Sequence, residues 1–144
     1  MTKVETAQLL AMFKVAYPHA YKDISNDTVL DSISMWQIKF ADVPFKVMLM
    51  AWDKYCMENK FAPTFAAFAE CLRAVHYQAW GDLANAKLFE DYATMERCKY
   101  VMDATERFRE SNLQVLNYDL ISDEELRLSV YNPHYLNQGD EYTE

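Results

Sequence analysis

Glycine is almost missing: the sequence holds two, Gly81 and Gly139, in 144 residues. A phosphate-binding Walker A loop needs two glycines within six residues, and a dinucleotide-binding fingerprint needs three, so neither can be written here. The Gly-x-Ser-x-Gly turn of the serine hydrolases is excluded for the same reason. With 4 prolines as well, the chain lacks the turn residues on which all-β folds lean. Histidine and cysteine number three each, as His19, His76, His134 and Cys56, Cys71, Cys98. No two histidines stand four apart and no two cysteines fall within four residues, so the clustered ligands of a structural zinc site are not present. An odd cysteine count and the lack of a secretory leader argue against a disulfide framework. The longest apolar run, Val47 to Trp52, is far short of the roughly 20 residues that span a bilayer. A cytoplasmic protein without cofactor or metal is the expectation.

What is present is apolar and helical in pattern. Hydrophobic residues make up 51% of the chain, charged residues 25% and aromatics 15%, enough for a sizeable core. The net charge of -8 is lopsided: residues 1–72 carry -1 and residues 73–144 carry -7. From Asp119 onward seven acids face Arg127 alone. Such a tail repels phosphate, which disfavours direct nucleic-acid binding and suits a basic protein surface.

The spacing predicts an all-α fold. Thr2 with Glu5 forms a capping box and opens a helix over about Lys3 to Ala16, closed by Tyr17 and Pro18. Asn26 or Asp27 is the expected cap of a second helix, whose Val29, Ile33, Trp36 and Phe40 form one apolar stripe. Asp42 is the expected cap of a third, with Pro44 in its first turn and Met48, Ala51, Tyr55, Phe45, Leu49 and Trp52 on two apolar faces. Pro63 and Thr64 restart the chain as a fourth, carrying Phe65, Phe68, Leu72 and Val75. Trp80 and Gly81 read as its boundary, which makes residues 1–78 a four-helix bundle and residues 79–144 a helical extension with an acidic tail. Residues 82–111 read as one long helix or two, with Phe89, Ala93, Tyr100, Ala104 and Phe108 near helical spacing. Leu113 to Ile121 is left open between extended and helical, and Ser122 with Glu125 predicts a short helix to about Val130.

The residues offer little chemistry. Cys71 and His76 stand five apart, off one helical face, and Cys56 and Cys71 sit among apolar neighbours. Glu90 with Asp91, and Asp123 with Glu124 and Glu125, are explained by helix ends. No catalytic residue is assigned. The candidates for partner binding are apolar and aromatic side chains beside charge near the C-terminus: Tyr118, Leu120, Ile121, Leu126, Tyr131 and Tyr135.

One pattern goes beyond composition. It runs from Glu5, Leu9 and Leu10 through Tyr17 and Pro18 to Trp36, Asp42, Pro44 and Phe45. It continues through Ala51 and Tyr55 and ends with Asn59, Lys60, Phe61, Pro63 and Thr64. Over about residues 1–75 this resembles the replicative helicase loader/inhibitor family of bacteriophages that infect Gram-positive bacteria. The resemblance implies a non-enzymatic adaptor in the host cytoplasm. Such an adaptor binds a hexameric replicative helicase, holds it inactive and delivers it to origin DNA through an origin-binding protein. The family assigns helicase contact to the C-terminal part; this chain's second half is longer and more helical than a simple tail. A competing reading from charge alone is an acidic inhibitor of a host nucleic-acid enzyme, of the anti-CRISPR or DNA-mimic type. It needs Glu90, Asp91, Asp103, Glu106 and Glu110 in one continuous stripe.

Overall fold

The computed structural model describes residues 1–110, and they are all helical. α1 spans Lys3–Ala16, α2 Asn26–Lys39, α3 Phe45–Glu58, α4 Phe65–Leu88 and α5 Tyr92–Thr105. Short 3-10 turns follow α1 at Pro18–Tyr21 and α5 at Glu106–Phe108. The predicted features on Leu113 to Ile121 and at Ser122 lie outside the described residues.

Each helix start has its own chemistry. The capping box of α1 forms as predicted: the Thr2 hydroxyl accepts from the Glu5 amide at 3.1 Å, and the Glu5 carboxylate accepts from the Thr2 amide at 2.7 Å. α2 is capped by Ser25, whose hydroxyl accepts from the Thr28 amide. The expected caps Asn26 and Asp27 fall inside the first turn, where the charge of Asp27 suits the helix dipole. Asp42 does not cap α3. Pro44 occupies the cap position without a side-chain acceptor. Asp42 instead accepts from Arg107, 65 residues downstream, at 2.6 Å. α4 is capped by Thr64 as its sequence suggests.

The core is aromatic. Phe13, fully buried on α1, has ring centroids 5.0 Å from Trp36, 4.8 Å from Trp52 and 5.9 Å from Phe68. One ring therefore touches a residue from each of α2, α3 and α4. Ile33, Trp36 and Phe40 are buried as the α2 stripe predicts, but Val29 is exposed, one turn beyond the reach of the other helices. Met48, Ala51, Trp52 and Tyr55 make α3 central, with Phe45 and Leu49 partly buried beside them. Two tyrosine hydroxyls hold the α3–α4 connection. Tyr17 donates to the Asn59 carbonyl at 2.8 Å and Tyr55 to the Phe61 carbonyl at 2.7 Å. The Asn59-to-Thr64 run is thus a pinned helix-to-helix junction.

α4 does not stop at Trp80 and Gly81; it runs on through 24 residues to Leu88. The division expected at residue 78 therefore falls inside a continuous helix. An added Cβ at Gly81 would meet nothing within 4 Å, so no close approach requires glycine there. The turn comes at Glu90, which takes a left-handed φ of 54°. There the Asp91 amide bonds the Ala86 carbonyl and the Glu90 amide the Lys87 carbonyl, the Schellman pattern that closes a helix. Asp91 then caps α5 through Thr94. This turn resets the helical phase, which is why Phe89 and Tyr100, expected on one buried stripe, are both exposed. α5 folds back on α4 and brings Val101 and Phe108 into the same core as Phe13. The Phe108 ring stacks on Phe40 at 6.0 Å. Arg107 locks this return: besides Asp42 it donates to the Lys39 carbonyl at 2.8 Å.

Three measurements test this packing. Phe13→Ala leaves a cavity at the meeting point of four helices and costs about 3–5 kcal/mol in urea unfolding, whereas Val15→Ala, on the exposed side of α1, stays within about 0.5 kcal/mol. Gly81→Ala stabilises by roughly 1 kcal/mol, the helix-interior penalty of glycine; a loss would show that α4 breaks there. Hydrogen bonds from the Thr94 side chain, then its amide, hold the Asp91 carboxyl below its ordinary value. Its contribution to folding is therefore complete above the unfolded carboxylate range and is lost as pH falls through the lowered folded value. The melting-temperature gap between wild type and Asp91→Asn should close on acidification, and a gap constant from pH 7 to pH 2 would contradict the cap.

Candidate protein-interaction site

The buried polar groups show no reactive arrangement. The Thr105 hydroxyl donates to the Val101 carbonyl at 2.7 Å, which leaves its lone pairs to accept from His76 Nδ1 at 3.0 Å. His76 Nε2 lies 3.8 Å from a Glu106 carboxylate oxygen. His76 thus links α4 to α5 and does not pair with Cys71. Burial pushes the thiols of Cys71 and Cys98 up, the opposite of an activated nucleophile. Among the described residues, no group of three or more His, Cys, Asp or Glu side chains could hold a metal ion.

The surface offers apolar relief instead. A groove of about 1170 Å³ opens between the starts of α1 and α3 on one side and α4 and α5 on the other. Phe45 and Met50 line one wall, Ala79, Tyr100 and Val101 the other. Its rim carries both signs, with Glu5, Asp82 and Glu96 against Lys46 and Arg97. The second relief is the outer end of the α4–α5 hairpin. By helix rise α4 is about 36 Å long against about 21 Å for α3, so its outer third has only α5 beside it. Ala86 and Cys98 are buried there but stand outside the main core. Trp80 is 62% exposed, Leu88 79%, Phe89 82% and Tyr92 69%, on a part of the molecule that two helices alone cannot close.

Sequence reasoning missed this face because Trp80 and Gly81 read as a stop. The signal was available: Tyr77, Trp80, Ala84 and Leu88 recur at helical spacing straight through Gly81. The predicted contact residues Tyr118, Leu120, Ile121, Leu126, Tyr131 and Tyr135 all lie outside the described residues.

Acidic side chains on the second half are interleaved with cations. Lys99 lies 3.7 Å from Glu96, Arg109 3.0 Å from Glu106, and Arg107 2.6 Å from Asp42, while Asp91 is spent on its cap. That interleaving breaks the row of carboxylates a nucleic-acid mimic needs.

No helix among the described residues is long and apolar enough to cross a membrane. No curated protein and no solved structure matches the chain. A family match covers α1 to the first turn of α4, the part that holds the Phe13 cluster and the pinned Asn59-to-Thr64 junction. Residues 1–69 match the family described as the N-terminal domain of the phage SPP1 gene 39 product, and this part of the chain belongs to that helicase loader/inhibitor family.

Proposed function

We propose that this protein is a phage DNA-replication adaptor that binds the hexameric replicative helicase, holds it inactive and releases it at the origin. The observation that carries this reading is the family match over residues 1–69. The family is one of loaders and inhibitors rather than catalysts. The sequence agrees with action by binding, since two glycines cannot build the phosphate loop of an ATP-driven loader.

On this reading the chain works in the host cytoplasm, makes no direct contact with nucleic acid and uses neither cofactor nor metal. Tyr118, Leu120, Ile121, Leu126, Tyr131 and Tyr135 supply the helicase contact, and the net charge of -7 over residues 73–144 favours a basic face on the ring. An origin-binding protein supplies the competing contact that frees the helicase. Inhibition of this kind is a population shift. To hold a ring almost wholly in one state, the adaptor must bind that state about 10⁴-fold better than the other.

The test is co-elution of the full-length chain with the helicase of the same phage, together with strand unwinding. At micromolar concentration the two proteins should elute together and unwinding should fall. Tyr118→Ala with Leu120→Ala and Tyr131→Ala should weaken both effects by tenfold or more while leaving the circular-dichroism melt unchanged. Separate elution with unaltered unwinding would overturn the reading.

A further inference from the structure

Helix α4 carries an unpartnered coiled-coil seam on its outer face. Ala66, Glu70, Arg73, Tyr77, Trp80 and Ala84 follow one another at alternating steps of four and three, the a and d positions of a heptad, and all are exposed. Lys87 holds the next such position, with Leu88 and the tip residues Phe89 and Tyr92 beside it. The seam is preformed at its centre: Arg73 Nε and the Tyr77 hydroxyl both bond the Arg109 carbonyl, at 3.0 and 3.3 Å, and the guanidinium lies 5.3 Å from the Tyr77 ring.

We infer that this face joins two copies of the chain, their α4 helices packed antiparallel about a two-fold axis passing between Gln78 and Ala79. Three arguments select this occupant. The first is register. An antiparallel coiled coil sets each a position against a d position of the other strand. About that axis Tyr77 meets the partner's Trp80, and Arg73 meets the partner's Ala84. Glu70 meets the partner's Lys87, which places an ion pair at each end of an aromatic centre. The second is exclusion. A parallel pairing would set Glu70 on Glu70 and Arg73 on Arg73, so the charges permit one direction. The third is area. Tyr77, Trp80, Leu88, Phe89 and Tyr92 are 44–82% exposed. At about 200 Å² for a whole aromatic side chain they present on the order of 600 Å² per protomer. A standard interface takes about 800 Å² from each side, so these side chains with their flanking residues reach the size of a specific dimer.

The test is sedimentation equilibrium of the full-length chain from 1 to about 100 μM. The wild type should approach twice its 16.9 kDa mass. Trp80→Glu and Glu70→Lys, both at exposed positions, should weaken association at least tenfold with unchanged circular dichroism. Glu70→Lys combined with Lys87→Glu should restore it, which a merely structural role for either residue would not do. A wild type that stays monomeric throughout, as it would if the chain's own C-terminal segment or another protein covers this face, overturns the inference. So does a dimer indifferent to Trp80→Glu, or a charge swap that fails to restore association. None of these outcomes depends on the helicase.

Discussion

The fold rests on the burial of one ring. Phe13 sits within about 6 Å of Trp36, Trp52 and Phe68, so α1, α2, α3 and α4 are each positioned against the same flat apolar surface. Edge-on and tilted contacts of this kind have preferred geometries, unlike aliphatic contacts, and they fix helix rotation as well as distance. Trp36 extends the cluster to Phe40 and Phe65. Phe40 then receives Phe108 from the far end of the described chain. A protein with so little glycine has few tight turns to set its topology, and here rigid aromatic packing does it.

That economy shapes what the molecule can do. Its polar interior is limited to structural pairs such as His76 with Thr105. Its distinctive features are surfaces: a mixed-charge groove and a hairpin whose outer third has apolar residues left over after α4 and α5 have met. The loader/inhibitor family covers the helices around Phe13, and the hairpin continues beyond the matched residues. The continuation is not an appended tail, because α4 is one uninterrupted helix and Arg107 reaches back to Lys39 and Asp42.

Much of this was legible in the residues. The Thr2–Glu5 box, the Thr64 cap and the stripe of Ile33, Trp36 and Phe40 depend on neighbours within a few positions, and local pattern captures them. The misreadings have a common cause in tertiary structure. Asp42 looks like a cap until a guanidinium from residue 107 claims it. Glycine at 81 looks like a stop, yet a helix held by α5 tolerates a penalty of roughly 1 kcal/mol. The true turn carries Glu90 at a position where glycine is usual, so it left no mark in the composition. The proposed contact residues from Tyr118 onward were chosen by composition alone.

The central claim is that residues on both sides of Gly81 close a single cooperative core. Native-state hydrogen exchange tests it most directly. If the core is one unit, the amides of Met48 on α3 and Val101 on α5 exchange with the same free energy and the same dependence on denaturant. Exchange of Val101 through a cheap, denaturant-independent opening, while Met48 keeps full protection, would contradict it.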